Sequence, residues 1–159
     1  MPRKTLVAGF GNTLLSDDGF GVAVVSRLAA RALPPEVEIF DVGIGGLHFI
    51  ARLMEGFEQV VVVDAVRGGE PPGTLYIFAF GTVESGAQDS ACVDPHLAEP
   101  GRALHLAQAL DLLPERVIVV GCEPESCHPG LCLTPTVHAA VDRAVERIQR
   151  MVCSDGESG

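Results

Sequence analysis

Hydrophobic positions along the chain fall into two alternating patterns. Short apolar runs occur at Thr5-Leu-Val-Ala-Gly9, Val37-Glu-Ile-Phe-Asp41, Val60-Val-Val-Val-Asp64 and Val117-Ile-Val-Val-Gly121, and each reads as a strand. The four consecutive valines of the third are apolar to both sides, as a central parallel strand covered on both faces must be. Between these runs, apolar residues recur at helical spacing. Val24, Val25, Leu28 and Ala32 mark a helix from Asp18 to about Ala32, ended by Pro34-Pro35. A shorter helix follows the turn Gly43-Ile-Gly-Gly46 and runs to about Glu55. Ala103, Leu106, Ala107, Leu110 and Leu113 give one face to a helix opening at Pro100. Val137, Ala140, Val141, Ala144, Val145, Ile148 and Val152 do the same for the last helix, introduced by Thr134-Pro135.

A fifth strand, Thr74-Leu-Tyr-Ile-Phe78, follows the dense turn signal Arg67-Gly-Gly-Glu-Pro-Pro-Gly73. So short a connection predicts that it lies antiparallel beside the Val60–Asp64 strand. Gly81 to Glu99 has no periodicity and reads as a long loop of the kind that carries function. The fold class expected is α/β in three layers: a mostly parallel twisted sheet of about five strands, one of them antiparallel, with helices on both faces. Residues 1–153 are expected to form a single domain, and 154–159 a flexible tail.

Composition narrows the function. A net charge of −10, no Trp and a single Tyr oppose nucleic-acid binding, which needs basic surface and stacking rings. No apolar run approaches the roughly 20 residues of a membrane helix. With no leader pattern and five cysteines, an odd number, the expectation is a cytoplasmic protein with reduced thiols.

In a parallel sheet, ligands bind beyond the carboxyl ends of the strands. Asp17 and Asp18, Asp41, Asp64 and Glu123 all follow strand ends, so the topology gathers carboxylates at one edge. One of Asp17 and Asp18 is expected to cap its own helix and the other to face the crevice. His96, in the long loop just before a helix, is a further candidate, whereas His105, off the apolar face of its helix, is expected in solvent. The glycine-rich stretch Gly9-Phe-Gly-Asn-Thr-Leu-Leu-Ser-Asp-Asp-Gly-Phe-Gly21 is not a phosphate cradle. It lacks the third glycine of a dinucleotide fingerprint and the lysine of a P-loop, and its two acids would repel phosphate. Cys122, Cys127 and Cys132 lack the paired spacing of a zinc site and read as ordinary thiols.

Taken together, Gly9–Gly21, Asp41-Val-Gly-Ile-Gly-Gly46, Val62-Val-Asp-Ala65 with Pro72-Gly-Thr74, Pro95-His96, and Val120-Gly-Cys-Glu-Pro-Glu125 with Leu133-Thr-Pro-Thr136 resemble the hydrogenase maturation endopeptidase family. Those proteases trim a C-terminal extension from the nickel-containing large-subunit precursor of nickel–iron hydrogenases. The resemblance spans Leu6 to about Val152. It implies that Asp18, Asp64 and His96 bind a divalent metal, that Asp18 and Asp64 serve catalysis, and that Asp41 orients a ligand or contacts the substrate. The metal it implies is Ni²⁺ carried by the substrate, in a donor set that Zn²⁺ also suits. Some family members carry Glu at the position of Asp18, and the surroundings of His96 here, Asp94-Pro-His96-Leu-Ala-Glu-Pro100, differ from the family's usual small residues. The implied partner is the hydrogenase large-subunit precursor. Two other readings stay open: a nickel-binding assembly chaperone without hydrolysis, and a peptidase with its own zinc. The absence of a His-Glu-x-x-His helix weighs against the zinc peptidase.

Overall fold

The valine-rich runs form strands because β-branched residues fit a pleated surface covered on both sides. In the computed structural model, which describes residues 3–80 and 99–154, they are β1 (Thr5–Phe10), β2 (Val37–Gly43), β3 (Gln59–Ala65), β4 (Leu75–Ala79) and β5 (Arg116–Cys122). The helices are α1 (Phe20–Leu28), α2 (Leu47–Leu53), α3 (Glu99–Ala109) and α4 (Pro135–Ser154), and a 3-10 turn at Ser16–Gly19 precedes α1. Strand order is β2-β1-β3-β5-β4; β4 alone runs antiparallel, against β5. This is the expected three-layer α/β sheet.

Alternation along the strands assigns the two faces. Val7, Val61, Val63, Val120 and Cys122 pack against α1 and α4. Leu6, Ala8, Phe10, Val60, Val62, Val117 and Val119 pack against α2 and α3. On the second face Phe10 meets Phe49 edge to face, ring centroids 5.1 Å apart. The seven apolar residues predicted for α4 are all buried. Each contributes up to about 1.5–3 kcal/mol as a fully buried valine or isoleucine, and less as alanine.

Several expectations change. β3 and β4 are not neighbours, because β5 lies between them. Val117, Val119 and Val120 are buried from both sides and need an interior place, whereas β4, with Ile77 37% exposed, tolerates the edge. The connecting turn crosses the end of β5 through Val66 N–H to the Cys122 carbonyl and Gly73 N–H to the Glu123 carbonyl, both 2.9 Å. Next, α3 buries Ala103, Leu104 and Ala107, while Leu106 and Leu110 are exposed. The helix ends at Ala109 and the backbone turns left-handed at Asp111 (φ 57°), so the later leucines leave the helical period. His105 is half-buried rather than solvated, with its ring edge-on to Phe80 at 5.3 Å. Finally, the helix expected from Asp18 begins at Phe20, and neither Asp17 nor Asp18 caps it.

The topology also fixes where a ligand would bind. From β1 the chain moves to β2 on one side, and β3 later takes the other side of β1. The crevice at this reversal lies outside the carboxyl ends of β1 and β3. Helix α1 presses onto it closely: a Cβ on Gly21 would stand 2.1 Å from the Val63 carbonyl oxygen and 2.4 Å from that of Phe10. Among the described residues, no helix is long and apolar enough to cross a membrane.

Candidate active site at the β1–β3 switch

Of the acids expected at the strand ends, hydrogen bonding sorts those engaged by the scaffold from those at the crevice. Asp17 is fully buried. Its Oδ2 accepts the N–H groups of Glu125 (2.9 Å) and Ser126 (3.0 Å), and its Oδ1 accepts the N–H of Thr134 (2.7 Å). The Thr134 hydroxyl donates to it as well, 2.9 Å from Oδ2. A carboxylate so surrounded by donors is accommodated without solvent. Glu123, 8% exposed, is engaged in the same way: its Oε2 accepts Gly68 N–H at 2.6 Å and the Tyr76 hydroxyl at 2.7 Å. Burial and that hydrogen bond push the Tyr76 phenol up to about 12.

Asp18 and Asp64 converge elsewhere. Asp18 Oδ2 accepts the N–H of Asn12 at 2.9 Å. Asp64, 5% exposed at the end of β3, accepts Ala65 N–H on Oδ1 at 2.7 Å. The same Oδ1 lies 3.5 Å from where a Cβ of Gly11 would stand. Both carboxylates therefore lie beside the Gly11–Asn12 peptide, at the switch between β1 and β3. Gly11 has φ 141°, and its Cβ would also fall 2.0 Å from the Asp18 carbonyl oxygen, so a side chain there has no room.

Asp41 lies at the end of the edge strand β2, opposite Gly9, and is exposed. Its Oδ1 is 3.8 Å from the Cβ position of Gly43. His96 and residues 81–98 of the expected loop fall outside the described residues, as does Cys92, while Glu99 opens α3. Among the described residues no group of three His, Cys, Asp or Glu side chains is gathered to hold a metal, so Cys122, Cys127 and Cys132 form no such site. All four described cysteines are free thiols. Two oxygen donors at one crevice suit a borderline or hard divalent ion and need further ligands to complete a shell. Sequence reasoning did not find the Asp17 clamp; the Thr134-Pro135 helix start was the one available hint that free N–H donors would be nearby.

The hydrogenase maturation protease family profile (HycI) matches residues 22–151. The chain is 33% identical over 147 residues to the hydrogenase 2 maturation protease of Escherichia coli K12, covering 91% of this chain and 88% of that protein. It is 34% identical over 154 residues to the coenzyme F420 hydrogenase subunit delta of Methanothermobacter thermautotrophicus, covering 91% and 92%. The solved hydrogenase maturating endopeptidase HybD of E. coli superposes with a TM-score of 0.78 at 30% identity, over 96% of this chain and 94% of that one.

Proposed function

The chain belongs to the hydrogenase maturation protease family, and from that premise we propose that it is the endopeptidase that removes the C-terminal extension of a nickel-loaded hydrogenase large-subunit precursor. Asp18, Asp64 and His96 engage the nickel that the substrate carries. The observation that carries this reading is the convergence of Asp18 and Asp64 on the Gly11–Asn12 peptide at the topological switch. His96, which lies outside the described residues, enters on the likeness of Pro95-His96 to the family's motif.

In this reading nickel belongs to the substrate. Two carboxylates and an imidazole leave coordination positions for the precursor's own ligands, so only a loaded precursor is held with its scissile bond at the crevice. Water then attacks the scissile carbonyl carbon while a carboxylate accepts its proton and later returns it to the departing amine. Asp18, half-buried, meets water more readily than Asp64 and takes this role.

Intact-mass measurement of the precursor, incubated with the protein with and without nickel, tests the proposal. Shortening of the nickel-loaded form alone is expected. Asp64→Asn should slow trimming by at least about 100-fold. Equal cleavage of the nickel-free precursor overturns recognition of the metal, and normal trimming by Asp64→Asn overturns the site.

A further inference from the structure

The residue beside Asp18 is tied into the scaffold more heavily than a turn requires. Besides the bonds of the Asp17 carboxylate, four bonds hold the segment Leu14–Asp17 against the segment Ser126–Gly130. Gly130 N–H donates to the Leu14 carbonyl, and Ser16 N–H to the Gly130 carbonyl, both at 2.9 Å. The Ser16 hydroxyl donates to the His128 carbonyl at 2.8 Å, and Asp17 N–H to the Ser126 carbonyl at 3.0 Å. Ser16 adopts φ 53°, a left-handed conformation that non-glycine residues seldom take. The Asp17 carboxylate then closes the assembly onto Glu125, Ser126 and Thr134.

Asp17 and Asp18 are consecutive in a 3-10 turn. With three residues per turn, their side chains project about 120° apart. Fixing the direction of one therefore fixes the other: Asp17 points inward to the start of α4, and Asp18 points to Asn12 and the crevice. We propose that Asp17 is a positioning residue, whose buried carboxylate locks the 3-10 turn so that the Asp18 carboxylate is held at the Gly11–Asn12 peptide, which Asp64 also approaches. The proposal rests on the functional reading above for the role of Asp18, and on the hydrogen bonds alone for the placement.

Asn at position 17 keeps the shape but removes the charge. It also turns an NH₂ group toward the N–H groups of Glu125, Ser126 or Thr134, so it cannot accept all of their bonds. In the Asp17→Asn protein the amide resonance of Asn12, which donates to Asp18, should shift, and kcat for precursor cleavage should fall about 100-fold with KM changed less than about threefold. Ile148→Ala, a cavity in the fully buried part of α4 away from the clamp, serves as the control. It should lower stability yet leave the Asn12 resonance and kcat near wild type.

Thr134→Val removes only the hydroxyl donor and should move the Asn12 resonance in the same direction by less. It decides the matter if Asp17→Asn does not fold. An unmoved Asn12 resonance in whichever of these two variants folds, or a kcat no lower than that of Ile148→Ala, overturns the proposal. If wild-type protein fails to cleave the precursor, the functional reading falls, while the Asn12 resonance still decides whether Asp17 places Asp18.

Discussion

Replacing Gly11 with alanine tests whether the two carboxylates share one tightly filled site. Two costs add at this position. The backbone sits at φ 141°, where an L side chain is strained, at a cost of about 1–3 kcal/mol. The new methyl would also stand 2.0 Å from the Asp18 carbonyl oxygen, well inside ordinary contact. Overlap with rigid backbone costs about a further 1–3 kcal/mol. The expected destabilisation is thus about 2–6 kcal/mol, a large part of the about 5–15 kcal/mol that holds such a domain together. Relief requires the Asp18 peptide to move by about an ångström or more, a displacement that costs roughly 100-fold in rate when it misplaces a reacting group. Guanidinium unfolding measures the first effect and precursor cleavage the second. Gly56→Ala separates strain from overlap, because Gly56 has φ 82° with nothing within 4 Å of its Cβ position. It should lose about 1–3 kcal/mol while cleaving normally. A Gly11→Ala protein with less than about 0.5 kcal/mol lost and wild-type turnover would refute the packing argument.

Two further measurements probe the scaffold around the site. Tyr76 is the chain's single tyrosine, so tyrosinate absorbance reports it alone; its midpoint in the folded protein should lie at about 12. Because that value is raised above the unfolded one, near 10, Tyr76 adds stability below about pH 10 that is lost as pH rises through about 12. A midpoint near 10 would sink the assignment, and Glu123→Gln should lower the midpoint. Burial also pushes the Cys122 thiol up to about 12, whereas Cys132 is exposed. Peptide mapping after brief iodoacetamide treatment at pH 8 should find Cys132 alkylated and Cys122 untouched until the protein is denatured; equal labelling of the two would contradict the packed interior of β5.

How much of this was legible in the sequence depends on whether a residue's role is local. The strands and α4 were readable because burial on both faces, or along one helical stripe, imposes a period that a single segment records. The place of β5 between β3 and β4 was not readable from the connection length. It is decided by competition for interior positions between Val117–Val120 and the more tolerant β4, a comparison between segments. α3 was misread for a related reason: Leu106 and Leu110 suit a helical face in isolation, but the surface α3 meets takes Ala103, Leu104 and Ala107. Asp18 and Asp64 were reachable because parallel topology alone brings strand ends to one edge. The burial of Asp17 was not, since its partners lie 108 to 117 residues away.

The glycine-rich stretch illustrates how one sequence feature admits opposed physical readings. Glycines after a first strand signal a phosphate cradle when their freed N–H groups point at an open cavity. Here the space a Cβ would need is already filled by protein. At Gly9 it is filled by the Gly21 carbonyl oxygen at 2.5 Å, at Gly11 by that of Asp18, and at Gly21 by those of Val63 and Phe10. These glycines let α1 and the turn before it settle directly on β1 and β3. That close seating is what carries Asp18, on a turn, to Asp64, on a strand. Larger residues would lift α1 from the sheet and widen the crevice, separating the two acids even with both side chains intact. The placement of the two acids therefore depends on residues that have no side chain to contribute.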